Sequence, residues 1–279
     1  MKKIDVNKAL LDKITGLSCV ENYLIYILLS EHQKIQFLYA KSYISFFDIV
    51  KVFCNENASY AYFNKIPRLQ ETAVDEGLIS LNVMADIDEA ALNHEYCCVQ
   101  VKPDYIAERY KRNFWRDDHY LLLCEEHGRK RIFLNDTPRD VFTADDEEVS
   151  CFYGGKTICF DMKTSLNQSI KDNLLYAFQS SILKSGNERN VFIDNLVVIR
   201  DILGILKATR KRIYEYCSMY VDAGFMREYL TGLEREYSAL EYMRIRKKYD
   251  LDKVNQTLCE IQAQDIAIIE LLRKKMIQI

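Results

Sequence analysis

Asp118-His119-Tyr120-Leu121-Leu122-Leu123-Cys124-Glu125-Glu126-His127-Gly128-Arg129-Lys130-Arg131-Ile132-Phe133-Leu134-Asn135-Asp136 reads as two short apolar strands joined by a polar loop. The runs are too short for helices, and the His-Gly pair between them is a turn signal. A hairpin centred between His127 and Gly128 sets His119 opposite Asp136. Directly opposed residues have Cβ atoms about 5 Å apart, within side-chain hydrogen-bond reach. A slip of one residue turns the acid to the other face and makes Asn135 the natural partner of the histidine.

Working outward, the run Gly16-Leu17-Ser18-Cys19-Val20-Glu21-Asn22 leads into the apolar stretch Leu24, Ile25, Ile27, Leu28 and Leu29. A helix is expected over residues 19–30, with Cys19 at its first turn. Unpaired backbone N–H groups and the positive end of the helix dipole favour a thiolate there, and the thiolate is the nucleophile. Cys19, His119 and Asp136 then take three roles. Cys19 attacks an acyl carbon, and His119 takes and returns the proton. Asp136 fixes the imidazole tautomer and stabilises its charged form. The Cys19 backbone N–H supplies one oxyanion donor.

An early Cys, a later His and an acid after a hairpin is the chain order of papain-like enzymes. The stretches Gly16–Asn22 and Asp117–Leu123, together with Ile132–Pro138 followed by Tyr153-Gly154-Gly155-Lys156, resemble the butirosin biosynthesis H-type family. That family lies within the papain-like, peptidase C39-like superfamily. A narrower resemblance is to the cysteine-protease-like amide synthases of closthioamide-type assembly. The resemblance covers about residues 10–160 and implies a papain-like fold with the triad Cys19, His119 and Asp136. It also implies transfer of an acyl group from a phosphopantetheinyl carrier-protein thioester to a small amine, a diamine or amino sugar, with no further cofactor. The chain departs from the peptidase pattern at Lys13, six residues before Cys19, where a Gln usually completes the oxyanion hole. A thioester is more activated than a peptide, so this weakens a peptidase reading more than an acyltransferase one. Two alternatives stay open: the same triad as a peptidase or thioesterase, and a catalytically silent binding module.

The remaining motifs are secondary. His94, Cys97, Cys98 and Cys124 match no zinc-finger spacing, and adjacent cysteines in a strand face opposite ways, so no metal is expected. Tyr153-Gly154-Gly155-Lys156 lacks the full phosphate-loop pattern and is expected to run into a strand. Asn22 is expected to face solvent or to cap. Three basic clusters are candidate contacts for an acidic carrier, or simply solvated helix faces. They are Arg109-Tyr110-Lys111-Arg112 with Arg116, Arg210-Lys211-Arg212, and Arg244-Ile245-Arg246-Lys247-Lys248. Tyr214, Tyr216, Tyr220, Tyr229, Tyr237 and Tyr242 suit a core, a homodimer surface or the wall of an acyl tunnel.

The 279 residues allow one large or two ordinary domains. All three prolines, Pro67, Pro103 and Pro138, fall in the first half, whereas residues 166–279 show helical periodicity. We therefore expect an α+β protein with a papain-like domain over 1–165 and a domain of about four helices over 166–279. The second part holds 18 Lys and Arg against 15 Asp and Glu and so carries +3, leaving −6 for the first. A net charge of −3 without a long basic tract argues against nucleic-acid binding. No apolar run reaches the length of a membrane span. Nine cysteines without regular spacing fit reduced thiols in the cytoplasm.

Overall fold

A computed structural model of the chain describes residues 1–7, 16–55, 68–111, 119–183 and 192–279. It divides into two units, Met1–Ile35 with Leu69–Asn167, and Gln36–Arg68 with Gln168–Ile279. The second unit thus takes a segment from the N-terminal half, whereas the sequence suggests a single division at residue 165. The cause lies in the aromatic-rich stretch around Phe37–Phe53. It forms a 3-10 helix over Ile35–Ser42 and α2 (Phe46–Asn55), and α2 packs against α8 (Leu196–Cys217).

The first unit is a mixed α+β layer built on one antiparallel sheet. In chain order it contains α1 (Cys19–Ser30), α3 (Leu69–Asp75), β1 (Ile79–Met84), α4 (Ile87–Asn93), β2 (Tyr96–Val101) and α5 (Pro103–Tyr110). These are followed by β3 (His119–His127), β4 (Lys130–Asp136), β5 (Arg139–Asp145), α6 (Asp146–Phe152) and β6 (Tyr153–Met162). The strands run in the order β1-β6-β2-β3-β4-β5. β2 and β3 are central and buried on both faces, which explains their unbroken apolar runs, Tyr96–Val99 and Tyr120–Cys124. β5 lies at an edge, and only Phe142 and Ala144 of it turn inward.

Leu121, Leu123, Phe133 and Phe142 pack on one face of the sheet with Ile87, Ala90, Ile106, Val149 and Phe152 from α4, α5 and α6. α1 packs on β2, β3 and β4 against the face bearing Cys98. Its residues Tyr23–Leu28 are all buried, so this helix is apolar around its whole circumference, as a central helix must be.

The β3–β4 hairpin turns one residue later than expected. His127 pairs with Lys130, and Gly128 takes φ +60°, a conformation that glycine adopts without steric cost. A bulge at Cys124 then restores one residue, so that Leu122 faces Leu134. Continued toward the sheet end, this register sets Tyr120 opposite Asp136, in place of the expected His119–Asp136 pair.

The second unit adds α7 (Gln168–Leu183), α8, α9 (Met226–Arg246) and α10 (Leu251–Met276) to α2. Arg210 of α8 is fully buried and donates to both carboxylate oxygens of Asp265 on α10 at 2.7 Å. Tyr229 of α9 donates to the same carboxylate at 2.7 Å, and Arg210 Nη1 donates to the Ile44 carbonyl at 2.9 Å. Tyr216 is a core residue flanked by Phe178 and Tyr220, whereas Tyr242 is exposed. The turn expected near Ser185-Gly186-Asn187 lies outside the described residues. No helix of the described residues is long and apolar enough to cross a membrane.

Candidate active site

The start of α1 is fixed by a capping arrangement legible as Ser18-Cys19-Val20-Glu21. Ser18 is the N-cap, and its Oγ accepts the Glu21 N–H at 3.2 Å. The buried Glu21 carboxylate accepts the N–H of Leu17 and, at 2.8 Å, that of Leu69. This holds the turn before the helix and presents Cys19 at the first helical position. Gly16 is required beside it, because a Cβ there would collide with the Asn22 side chain and stand 2.8 Å from the Asn22 backbone N.

The ladder between β3 and β4 is not continued beyond Leu122–Leu134. At the next rung the Tyr23 hydroxyl enters between the strands. It donates to the Tyr120 carbonyl at 2.9 Å and accepts the Asp136 N–H at 3.1 Å. A side chain of α1 therefore does the work of a missing ladder bond, and the strand ends are held apart around it. Burial acts most strongly on the Cys19 thiol and raises its pKa, while the N–H groups of Tyr120, Val20 and Cys19 itself pull the other way. The Tyr120 N–H is one peptide from His119.

His119 is 1% exposed, and its Nε2 lies 2.7 Å from Asn135 Oδ1. The Asn135 amide is oriented independently, since its Nδ2 donates to the Pro138 carbonyl at 3.0 Å. Oδ1 therefore faces the imidazole, Nε2 carries the proton, and Nδ1 is the basic nitrogen. The imidazole reaches from β3 to β4 beside the gap that Tyr23 enters. Asn135 thus stands where the sequence reading put Asp136. His119 and Asn135 are diagonal neighbours on one face, because the turn falls later than expected and a bulge follows it.

Asp136 has a different task. It faces α1, and its Oδ2 accepts from Asn22 Nδ2 at 2.6 Å. Asn22 is therefore neither solvent-facing nor a cap, but a tether from the first turn of α1 to the end of β4. The electrostatics also depart from expectation. Burial, with the negative charge of Asp136 behind it, pushes the Cys19 thiol up to about 12 despite the helix N-terminus and the surrounding N–H groups. Burial lowers the His119 pKa, against the pull of Asn135 and Asp136. Both shifts favour the neutral forms, thiol and imidazole.

Of the remaining candidates, His94 Nδ1 lies 2.8 Å from Asp161 Oδ2, and the Cys97 and Cys159 sulfurs are 4.0 Å apart in the core. Among the described residues no group of three His, Cys, Asp or Glu side chains is placed to hold a metal ion. Lys13, Arg112 and Arg116 lie outside the described residues. No family model matches the chain, and no curated protein gives a significant match to it.

Proposed function

We propose that the chain is a cysteine acyltransferase of papain-like design, with Cys19 as nucleophile, His119 as acid–base and Asn135 as the group that orients the imidazole. The observation that carries this reading is the 2.7 Å His119–Asn135 bond, with the amide pinned from behind by Pro138 and the Cys19 sulfur one peptide away at Tyr120. A structural histidine needs only a partner. An imidazole with a fixed tautomer, one peptide from an N–H that acts on a cysteine at a helix start, has the parts of nucleophilic catalysis.

In the reaction, Cys19 Sγ adds to the carbonyl carbon of a thioester while His119 Nδ1 takes its proton. The tetrahedral adduct collapses to an acyl-enzyme, and the departing thiolate takes that proton from the imidazolium. An amine then adds to the acyl-enzyme and passes a proton to His119, which returns it to the Cys19 sulfur as the C–S bond breaks and the amide leaves. A thioester suits a sulfur that rests protonated, because its carbonyl is more electrophilic than that of a peptide. The donor on a carrier-protein arm and a small diamine or amino sugar as acceptor are the substrates proposed.

The test is intact-protein mass spectrometry after incubation with acyl thioesters. Wild type should gain one acyl mass, Cys19→Ala none, and added amine should discharge the adduct to an amide. Equally fast discharge by water would mark a hydrolase. Absence of an adduct from both free and carrier-bound thioesters would favour a non-catalytic binding module.

A further inference from the structure

The third of the basic clusters forms an open cationic surface among the described residues. Arg210 and Arg212 are fully buried. Arg109 is held near Asp140 and Glu148, at 3.6 and 3.7 Å, and lies over the Phe142 ring. The third cluster closes α9, and every residue from Arg244 to Asp250 is exposed. Lys247 adopts the left-handed conformation, and its N–H and that of Lys248 close the helix on the carbonyls of Arg244 and Met243. Backbone groups thus cap this end, and the side chains point outward. Arg244 pairs with Glu241 at 2.9 Å, and Arg246 lies over the Tyr242 ring at 5.3 Å. Lys247 and Lys248 make no ion pair among the described residues.

Large apolar side chains stand among these cations. Ile245 is 69% exposed, Tyr242 60% and Tyr249 48%. Apolar groups set among charges match the mixed composition of a protein contact. The local positive charge of the patch favours a compact acidic protein as its partner.

We propose that Tyr242–Tyr249, at the end of α9, docks an acidic helix of a partner protein. Its carboxylates would meet Arg246, Lys247 and Lys248, and its apolar side chains Tyr242 and Ile245. Resting on the acyl-transfer reading, we identify this partner as the acidic carrier domain that delivers the thioester.

The experiment titrates fluorescently labelled holo acyl- and peptidyl-carrier domains with full-length Cys19→Ala protein and follows anisotropy. Affinity should fall about tenfold or more on raising salt from low to moderate ionic strength. The combined charge reversal Arg246→Glu, Lys247→Glu and Lys248→Glu should abolish it. Ile245→Ser should weaken binding without changing its salt dependence, and Lys130→Glu, on an exposed strand residue, should leave it intact. Circular dichroism checks that each variant is folded. Absence of binding by every carrier, indifference to the reversal, or tighter binding to phosphatidylglycerol vesicles or duplex DNA would each overturn the proposal. Patch-dependent binding without acylation of Cys19 would keep the docking surface and remove the acyl-transfer reading. Carrier-dependent acylation that ignores the reversal would do the opposite.

Discussion

In the helical unit, Arg210 meets Asp265 through two parallel hydrogen bonds, with Tyr229 and the Ile44 carbonyl completing the cluster. At the sheet end of the other unit, buried His119 bonds the Asn135 amide and half-buried Asp136 bonds the Asn22 amide, a neutral partner in both cases. In the first cluster the opposite charge of Asp265 outweighs desolvation, and the Arg210 pKa is raised. In the second, Asp136 puts a negative charge beside a thiol that burial already keeps protonated. One arrangement locks helices together. The other favours the neutral forms of a thiol and an imidazole.

The strongest way to break this contrast is to remove one partner from each cluster. Asp265→Ala leaves the Arg210 charge buried and unpaired, and should cost about 3–5 kcal/mol in denaturant unfolding. Arg210→Met combined with Asp265→Leu should recover most of that loss. Failure of the rescue would mean that the cluster is more than a closed ion pair. Asn135→Ala should lower acyl transfer by about 10²-fold through misplacement of the imidazole, with a much smaller effect on unfolding. Asp136→Ala should affect stability as well, since it frees Asn22 and the end of β4. If Asp136→Ala lowered turnover more than Asn135→Ala, the assigned third member would be wrong.

Two subtler tests sharpen the electrostatic half. With the thiol pushed up to about 12, iodoacetamide should alkylate Cys19 slowly at neutral pH, at a rate that climbs steadily into the alkaline range. Asp136→Asn removes the adjacent negative charge and should move that profile down by about one pH unit. An unmoved profile would show that burial acts alone.

The smallest effect concerns His119. Its folded pKa is depressed, so the unfolded chain binds the proton first as pH falls. The fold is thus fully stabilised by the neutral ring above the ordinary histidine range and loses that contribution progressively below it. His119→Gln should flatten the decline in melting temperature between pH 7 and 5 by a few degrees, and an unchanged slope would place the titration elsewhere.

Several parts of this arrangement could be read in the chain before any coordinates. β2 over Tyr96–Val101 was legible because a central strand buries both faces, and its residues are accordingly apolar without interruption. α1 was legible from its apolar run and from Cys19 at its head. β1 and β5 leave little trace in the chain, since edge strands alternate weakly and resemble loops, and the short helices α3, α5 and α6 are too brief for periodicity to show. The capping pattern Ser18-x-x-Glu21 was present in the sequence and would have fixed the helix start.

Which side chain partners the His119 imidazole was not fixed by the chain alone. Its choice depends on a turn displaced by one position and on a bulge at Cys124, and each reverses which residues share a face. The sequence by itself determined the residue types and their order: a thiol at a helix start, an imidazole at the head of a strand, and an amide and an acid side by side after a hairpin. Only tertiary structure decided that the amide takes the imidazole while the acid takes α1, and that Gln36–Arg68 belongs with the helices. The reason is physical. Periodicity reports which residues are buried, whereas register, burial-driven pKa shifts and domain membership depend on contacts between residues far apart in the chain.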